Sequence, residues 1–548
     1  MRIPRSQLTF YDPETCIWTG IEKVPPYDAT QSLGQLILDS LAKNPLKITQ
    51  ISADSHREVT CQELRLQTIR IAQNLSLEGI QPGDVVTMAA NNGELVAPVT
   101  FACLALGVPL NTLDPGFDRD DLAHMLATVR PKAVFCDREG LGEMVAAIEM
   151  VGLNPLLVTF GGRVDGMLSV TDFLKPTGRE EWFSPIRFRE ASQQVALIVC
   201  SSGTSGRSKG VCLSHAQCIG TLCGFGDCRS DDVLLCFSSL YWISGIFILL
   251  NGTVAGATRI ITREPFHYRA ALDIINRYRV TFWFLQPALA LQILKNISPG
   301  TGSLPSLRLC VSGGAAVSPE LKLAFETLAP NANFMPSYGL SEAGGPVTGC
   351  EKLLYKNGST GYVKPNVSVK IVNDEGEALP IGQQGEILVK PEFPFLGYYK
   401  NLEATAEILD PEGWLHTGDI GCFDRDGFFY ITDRKKDIIR YHGVQISPSE
   451  LESVIQKLDE VVGVCVVAIP GTGIDLPAAL IVKKAFSQLT VEQIEEFTER
   501  NLPHYKQLKG GIYLVDELPM TPSGKIVRRK CREIVLELLQ ERSTGTLI

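Results

Sequence analysis

The strongest chemical signal in the chain is a stretch rich in glycine and hydroxyl groups at residues 201–210, which reads SSGTSGRSKG. It follows the apolar run 195–200, which predicts a buried strand. Glycines let a backbone pass close to an anion, and successive N–H groups then form a concave cradle. The hydroxyls and Lys209 add donors for phosphate oxygens. The spacing is neither that of a Walker loop nor that of a hydrolase elbow, so two interpretations remain, a phosphate loop and a flexible linker.

A second group of candidate residues lies between residues 313 and 342. Glu342 ends the sequence SYGLSE, and a carboxylate near a phosphate site holds Mg²⁺ through its oxygens. An acidic residue at a helix start is the common alternative. The ring of Tyr338 can lie on a purine, and the Gly-Gly-Ala-Ala stretch at 313–316 either lets the backbone approach a base or forms a plain turn.

Two more polar residues stand in glycine-containing loops. Asp419 follows Thr-Gly, and its carboxylate can accept hydrogen bonds from both ribose hydroxyls, or it is a turn aspartate. Lys525 lies in a loop of Thr, Pro, Ser and Gly, and a mobile loop can carry a point charge into a closing site. The alternative is that Lys525 belongs to a solvated basic face with residues 528–530.

The elements that must position these residues alternate between strand and helix patterns. A helix predicted over 60–77 is followed by an apolar strand pattern, and this alternation continues to about residue 330. It predicts an α/β fold with parallel sheets covered by helices. From about residue 360, short β-like segments predict a small antiparallel subdomain. We therefore expect a large domain over 1–432 and a small, mobile α+β domain over 433–548, with a final helix over 528–541.

Composition excludes several classes of protein. The 548 residues are 45% hydrophobic and 20% charged, which excludes wholesale disorder. The net charge of −10 lies entirely in residues 1–432, which argues against sequence-independent binding to nucleic acid. The 15 cysteines contain no Cys-x-x-Cys pair and are expected to be buried, reduced thiols. The uncharged stretch 233–258 contains Ser, Asn and Gly, so we expect a buried core segment rather than a membrane span.

Five motifs occur in the order found in one large enzyme family, over residues from about 30 to 530. They are SSGTSGRSKG at 201–210, SYGLSE at 337–342, GWLHTGD at 413–419, DRKK at 433–436 and PMTPSGKI at 519–526. Taken together they resemble the adenylate-forming family, which comprises acyl-CoA synthetases, 4-coumarate–CoA ligases, beetle luciferases and adenylation domains. The similarity is greatest to the branch of coumarate ligases and insect luciferases. It implies the family's fold, a large AMP-binding domain followed by a mobile lid domain.

The resemblance implies a role for each residue that matches a motif. The catalytic residues would be Lys209, Glu342 and Lys525, with Glu342 as the Mg²⁺ ligand. Lys436 would be the hinge between the domains. The residues expected to bind the acyl group or CoA are Trp242, Ile243, Ser244, Gly313, Arg440 and Gly443. Those expected to bind ATP are Ser201, Ser202, Gly203, Thr204, Ser205, Gly206, Lys209, Gly314, Ala315, Ala316, Ser337, Tyr338, Gly339, Leu340, Ser341, Asp419, Arg434 and Lys525.

The implied reaction is that of an acid–CoA ligase that uses ATP, Mg²⁺ and CoA. A fatty or arylpropenoic acid would be activated as acyl-AMP and then transferred to CoA after rotation of the small domain. The largest departure from the family is Trp242, where a histidine is common, and Ser208, Pro336, Ser341 and Arg440 also differ from the usual residues. Two alternatives stay open, a luciferase-like monooxygenase and a silent nucleotide or acyl binder.

Location and assembly follow less directly from the sequence. The first residues lack an apolar signal-peptide core, and the C-terminus lacks Ser-Lys-Leu. We expect a cytoplasmic protein, with the peroxisome as the alternative implied by the family. The partners expected are the acid, ATP and CoA. The sequence leaves the oligomeric state open.

Overall fold

The structure is a computed structural model, and it describes most of the chain. The described residues are 8–24, 28, 30–162, 164, 166–202, 207–224, 228–297, 303–350, 354–442, 444–471, 474–520 and 526–543. Six residues of the predicted site lie outside them, namely Gly203, Thr204, Ser205, Gly206, Gly443 and Lys525.

Helices occupy the positions at which the apolar spacing predicts them. The predicted helix at 60–77 is confirmed as α2, whose N-cap Thr60 accepts a hydrogen bond from the backbone N–H of Glu63. The helices are α1 (Leu33–Lys43), α2 (Cys61–Leu77), α3 (Val96–Leu106), α4 (Arg119–Val129), α5 (Leu141–Met150), α6 (His215–Gly224), α7 (Ile243–Ala255), α8 (Tyr268–Tyr278), α9 (Pro287–Asn296), α10 (Pro319–Leu328), α11 (Leu402–Ile408), α12 (Pro448–Ile455), α13 (Val491–Asn501) and α14 (Arg528–Ser543).

Strands alternate with these helices in the first two thirds of the chain and dominate the region that follows. They are β1 (Thr9–Asp12), β2 (Ile17–Gly20), β3 (Ile48–Ser52), β4 (Glu58–Thr60), β5 (Val86–Ala89), β6 (Leu110–Leu113), β7 (Ala133–Asp137), β8 (Leu156–Phe160), β9 (Leu168–Ser169), β10 (Val195–Ser202), β11 (Ser208–Ser214), β12 (Val233–Leu235), β13 (Thr258–Ile261), β14 (Phe282–Phe284), β15 (Leu309–Gly313), β16 (Asn333–Leu340), β17 (Gly345–Gly349), β18 (Tyr362–Val363), β19 (Ser368–Val372), β20 (Gly385–Lys390), β21 (Leu415–Phe423), β22 (Phe429–Arg434), β23 (Ile439–Tyr441), β24 (Val444–Ile446), β25 (Val461–Pro470), β26 (Asp475–Lys483) and β27 (Ile512–Leu514).

Two large sheets form the α/β part of the molecule, and their mainly parallel pairing confirms the predicted fold class. One has seven strands in the order β11-β10-β6-β5-β7-β8-β9. The other has nine, in the order β18-β17-β16-β15-β14-β12-β13-β3-β4. Both carry antiparallel strands at their edges, and these edge hairpins include β10–β11 and β16–β17. The hairpins matter because they carry predicted site residues.

A six-stranded antiparallel sheet, in the order β1-β2-β19-β20-β21-β22, forms the predicted small subdomain. Its first two strands come from the chain's beginning, which the sequence analysis did not anticipate. The buried ring of Trp18 stacks on Phe423 with centroids 4.8 Å apart, so the N-terminal hairpin shares the core of this sheet. The last strand, β22, extends through Asp433 and Arg434, two residues past the predicted domain boundary.

The core confirms the predicted nature of the uncharged stretch 233–258. Its helix α7 is buried from Gly245 to Thr253. In the part of the chain that the structure describes, no helix is both long enough and apolar enough to cross a bilayer. The described cysteines are free thiols and most are buried, in agreement with the expectation for reduced thiols.

The last part of the chain has its own small core and sheet. Strands β25, β26 and β27 pair in that order, and α12, α13 and α14 accompany them. Buried apolar residues from β25 and β26 fill both faces of this sheet, and Ile455 and Val535 pack on opposite sides of it. This arrangement matches the predicted compact α+β domain.

Candidate active site

The predicted phosphate stretch forms a β-hairpin. Strand β10 continues to Ser202, two residues beyond the predicted strand, because Ser201 pairs with Lys209 and Ser202 with Ser208 across the hairpin. The two ends of the glycine-rich stretch are therefore held side by side, which argues against a linker between independent segments. The Ser201 hydroxyl is buried, and its hydrogen-bond partner is the Tyr398 side chain. This contact joins the hairpin to the segment that carries Tyr398.

Lys209 lies at the start of β11 with only 11% of its side chain exposed. Its Nζ atom is 3.7 Å from a carboxylate oxygen of Glu407, a residue of α11 that is 62% exposed. The same Nζ lies 5.0 Å from the centre of the Tyr398 ring. This ion pair is the one that Lys209 makes within the described part of the chain, and its partner is exposed to water, so Lys209 remains able to receive a more highly charged anion.

Glu342 lies in the tight turn that joins β16 to β17, and not at a helix start. Gly344 in this turn has a φ of +80°, and its N–H donates to the Ser341 carbonyl at 2.9 Å. The Glu342 carboxylate accepts a hydrogen bond of 2.8 Å from the Tyr398 hydroxyl. Burial and the nearby Glu342 charge raise the pKa of Tyr398, so the phenol stays protonated and acts as a donor.

Tyr398 and Glu407 are the site residues that sequence reasoning missed. They come from the segment 397–408, which lies far in sequence from both hairpins. The only local signal was a Gly-Tyr-Tyr sequence between two apolar stretches, and this has no specific chemical meaning on its own. Their contacts with Glu342 and Lys209 place this segment beside the predicted phosphate site.

The predicted ribose residues Asp419 and Arg434 lie on the paired strands β21 and β22, and Tyr338, predicted to lie on the purine, reaches Asp419 from a different sheet. Tyr338 lies on β16, and its hydroxyl donates a 2.7 Å hydrogen bond to Oδ2 of Asp419 on β21. Arg434 on β22 pairs with Asp419 in the strand register, and its Nε lies 3.4 Å from Oδ1. Burial and the Asp419 charge raise the pKa of Tyr338, so this phenol is also a donor. The structure brings all three predicted residues together.

The motif around Tyr338 is a strand and not a turn. Ser337, Tyr338, Gly339 and Leu340 form the end of β16. A Cβ atom on Gly339 would lie 2.3 Å from the carbonyl oxygen of Gly345, so only glycine fits where β16 and β17 approach each other. Ser341 begins the turn that carries Glu342. Strand β16 thus leads from Tyr338 to the turn that contains Glu342.

The stretch 313–316 follows β15, the neighbour of β16. Gly313 is the buried last residue of β15 and pairs with Ser337. Gly314 has a φ of +86°, and Gly314, Ala315 and Ala316 are exposed. An exposed small-residue backbone next to Ser337 is compatible with the predicted approach to a base.

The predicted acyl residues begin α7. Trp242 is the N-cap of this helix, and Ile243 and Ser244 form its first turn. Trp242 packs against the apolar cluster that contains Cys200 of β10, and its ring meets Tyr241 edge-on at 4.8 Å. The start of α7 therefore lies beside the strand that leads to the phosphate hairpin, while Arg440 lies exposed on β23 in the small domain.

The predicted hinge has different anchors on its two sides. The Lys435 side chain pairs with Glu386 at 3.1 Å and Asp374 at 2.9 Å, both in the large domain. Asp437 lies 3.7 Å from Arg528 of the small domain. Lys436, between them, is exposed.

Arg528 begins α14 and is itself firmly held within the small domain. Its guanidinium donates to Glu452 of α12 at 2.5 Å and also to the Val466 carbonyl. Asp121 of α4 interacts electrostatically with Arg207, which precedes β11, and with Lys530 of α14. The start of α14 and the residue before β11 therefore both lie on the side of α4 that carries Asp121. Lys525, which lies outside the described residues, precedes Arg528 by three residues in the sequence.

The donor set fits a magnesium ion that is shared with a nucleotide. Glu342 offers a hard carboxylate oxygen, and the buried Ser201 hydroxyl and Lys209 stand on the hairpin nearby in the fold. Among the described residues, no three His, Cys, Asp or Glu side chains are grouped to hold a metal alone. Mg²⁺ is commonly bound by one or two carboxylates together with substrate phosphates, which is the arrangement these residues allow.

Comparison with known proteins identifies the family. The sequence matches the model described as AMP-binding enzyme over residues 38–399 and the model described as AMP-binding enzyme C-terminal domain over residues 450–525. A probable CoA ligase of Humulus lupulus, CCL5, is 30% identical over 498 residues, which cover 88% of this chain and 89% of that protein.

Solved structures agree with this match. The anthranilate CoA ligase AuaEII, solved with anthranoyl-AMP, has a TM-score of 0.86 at 22% identity, with coverage of 94% of this chain and 99% of that one. The luciferase-like enzyme of the nonluminescent mealworm Zophobas morio has a TM-score of 0.71 at 30% identity, with coverage of 76% and 98%. The first of these shows the fold alone. The chain belongs to the AMP-binding enzyme family, the adenylate-forming enzymes that its five motifs indicate.

Proposed function

We propose that the protein is an ATP-dependent acid–CoA ligase, which forms an acyl-adenylate and then an acyl-CoA thioester. The observation that carries the proposal is the path of β16. Near its C-terminal end this strand holds Tyr338 against Asp419, and it then leads directly into the turn that presents Glu342. A nucleoside held at the first point would extend its phosphates toward the second. The curated relatives bear out the reaction class, since CCL5 is named a CoA ligase.

In the first half-reaction, the carboxylate oxygen of the acid attacks the α-phosphorus of ATP, and pyrophosphate leaves. Asp419 accepts the ribose hydroxyls, and Arg434 keeps its carboxylate oriented. Lys209 and backbone N–H groups of the sequence motif 201–210 bind phosphate oxygens. Mg²⁺, held by Glu342, would neutralise phosphate charge. Lys525 stabilises the charge that develops as the carboxylate attacks.

In the second half-reaction, the CoA thiol attacks the acyl carbonyl carbon, and AMP leaves with the electrons of the broken mixed-anhydride bond. We propose that the small domain rotates about Lys436 between the two steps. The anchors on the two sides of this residue support the proposal, because Lys435 is tied to the large domain and Asp437 to the small one. After rotation the face around Arg440 and Gly443 would meet CoA.

We further propose that the acid is a fatty or arylpropenoic acid. The first turn of α7, with Trp242, Ile243 and Ser244, would line the acyl site beside Gly313. The apolar length of α7 and the bulk of Trp242 favour an acid with an apolar tail. A location in the cytoplasm or the peroxisome stays a prediction.

The test is a pyrophosphate-release screen with purified protein, ATP, Mg²⁺, CoA and a panel of carboxylic acids. Acid-dependent release of pyrophosphate together with a new thioester is the expected result. Medium-chain, long-chain and arylpropenoic acids should give the largest signals, and short polar acids should serve as controls. Absence of both products with every acid would refute the ligase function. Light emission with luciferin would instead support the oxygenase alternative.

A further inference from the structure

The start of the segment 397–408 pairs through its backbone with β11 of the phosphate hairpin. The Cys212 N–H donates to the Gly397 carbonyl at 3.1 Å, and the Tyr399 N–H donates to the Gly210 carbonyl at 2.7 Å. These two bonds flank the Tyr398 position, which forms a bridge with Val211. The backbone around Tyr398 is therefore fixed to β11, the strand that carries Lys209.

The Tyr398 side chain reaches from this edge to a different hairpin. Its ring passes 5.0 Å from the Lys209 ammonium, and its hydroxyl donates to Glu342 Oε1 at 2.8 Å. The residue is 8% exposed, so water competes little for this hydrogen bond. Its backbone N–H also donates to the Thr405 hydroxyl at 2.9 Å, which holds it from the α11 side.

Glu342 needs such a partner because of where it lies. The turn between β16 and β17 contains two glycines with positive φ, Gly344 at +80° and Gly345 at +130°. A carboxylate on a short turn retains rotamer freedom, and fixing it costs free energy each time a cation binds. One hydrogen bond to one carboxylate oxygen removes much of that freedom and leaves lone pairs for a metal.

We propose that Tyr398 is a positioning residue for adenylate formation, whose hydroxyl orients the Glu342 carboxylate toward the divalent cation on ATP and fixes its distance from Lys209. This inference rests on the proposed function, in which Glu342 is the metal ligand. Tyr398 transfers no proton and contacts no reacting atom. It couples the two hairpins that hold the triphosphate, and it acts in the first half-reaction alone.

The experiment compares Tyr398→Phe, which removes only the hydroxyl, with Tyr399→Phe as the matched control. Tyr399 is the adjacent residue, and its ring packs on a separate cluster that includes Leu126 and Ile198. Calorimetry measures the affinity for ATP with and without Mg²⁺ in the full-length protein. Acid-dependent ATP–pyrophosphate exchange is then measured against Mg²⁺ concentration, and thioester formation is measured from a supplied acyl-adenylate.

The expected result is specific to magnesium. In the wild type, Mg²⁺ should raise the affinity for ATP. In Tyr398→Phe this increase should be about tenfold smaller, because hydrogen bonds to charged groups are stronger than those between neutral groups. It should also raise the half-saturating Mg²⁺ concentration in exchange by about tenfold. Binding of metal-free ATP and thioester formation from the supplied adenylate should match the wild type, and Tyr399→Phe should match it throughout.

Two results would overturn the inference. One is an unchanged Mg²⁺ dependence in Tyr398→Phe. The other is an equal loss in both half-reactions together with a lower melting temperature, which would assign Tyr398 a purely structural role. If the wild type gives no pyrophosphate exchange with any of the acids tested, the ligase function is refuted instead. In that case the Mg²⁺ dependence of ATP binding still decides whether Tyr398 positions Glu342.

Discussion

The two ends of the proposed nucleotide site are built in different ways. At the proposed ribose end, Asp419 and Arg434 stand on paired strands, Tyr338 stands on a strand of another sheet, and their side chains already make contacts of 2.7 and 3.4 Å. At the proposed phosphate end, the one ion pair of Lys209 among the described residues is a 3.7 Å contact with the exposed Glu407 carboxylate, and Glu342 lies on a turn, where it accepts a hydrogen bond from Tyr398. Residues 203–206 and Lys525 lie outside the part of the chain that the structure describes.

This difference suggests a division of labour along the cleft. Side chains on paired strands lose little entropy when the nucleoside binds, so the ribose end is suited to affinity. At the phosphate end, Tyr398 already holds Glu342 near Lys209, whereas Lys525 would be supplied by the small domain, so we expect this end to contribute mainly to the chemical step. Substitutions at the two ends should therefore affect different kinetic constants.

The largest effect should come from Lys525→Ala. We expect acid-dependent pyrophosphate exchange to fall about a thousandfold, because a cation that acts on the developing charge is lost. Thioester formation from a supplied acyl-adenylate should persist. Arg529→Ala removes an exposed cation of the same region and is the control. An equal loss of both half-reactions in Lys525→Ala would contradict the assignment of this lysine to the first step.

A smaller effect on a different constant should follow from Asp419→Ala. Loss of the ribose acceptor should raise KM for ATP by about a hundredfold and change kcat only a few-fold, since the interaction exists in ground state and transition state alike. Steady-state kinetics with varied ATP measures this. Asp426→Ala, on the turn after the same strand β21 and 50% exposed, should behave as the wild type. A loss confined to kcat would remove the contrast between the two ends.

Tyr338→Phe should have a milder effect at the same end. The Asp419 carboxylate keeps its Arg434 partner at 3.4 Å, so we expect KM for ATP to rise only about fivefold. The double variant with Asp419→Ala should show no additional loss, because the hydroxyl acts through that carboxylate. Additive losses in the double-mutant cycle would show that Tyr338 contacts the nucleotide independently through its hydroxyl.

The smallest effect is expected from Glu407→Gln at the phosphate end. Removing the negative partner of Lys209 should lower KM for ATP by about twofold at low salt and by less at high salt, because the Glu407 carboxylate is 62% exposed and salt screens its attraction to Lys209. Glu403→Gln, exposed on the same helix, is the control. An increase in KM would mean that Glu407 holds Lys209 in place instead of competing for it.

Sequence patterns were sufficient to predict which segments form helices and strands. They were insufficient to predict several strand ends and the strands with which they pair. Strand β10 was predicted two residues short because its last residues are held by Ser208 and Lys209 across the hairpin. Strand β16 contains Pro336, and a proline argues against a central strand when the pattern is considered alone. The predicted boundary at residue 432 falls inside β22, since Asp433 and Arg434 still pair with β21.

The candidate site shows the same limit. The residues of the five motifs were identified by their resemblance to a family, and their local chemistry alone left an alternative for each. Tyr398 lies 56 residues from Glu342, and no local pattern reports a hydrogen bond over that separation. Asp419 and Arg434 were predicted for the ribose and Tyr338 for the purine, whereas the contact between Tyr338 and Asp419 depends on two different sheets lying side by side.

The six-stranded sheet also constrains the order in which the protein can fold during synthesis. Thr19 of β2 pairs with Ser368 of β19, so this sheet joins the first strands of the chain to strands made almost 350 residues later. Closing so long a loop is slow, and until it closes the N-terminal hairpin has no sheet to join. Asp419 belongs to this sheet, so we expect the proposed ribose acceptor to reach its final position late in the folding of the large domain. A shortened N-terminus would leave β19 as an open edge, and aggregation would then compete with maturation.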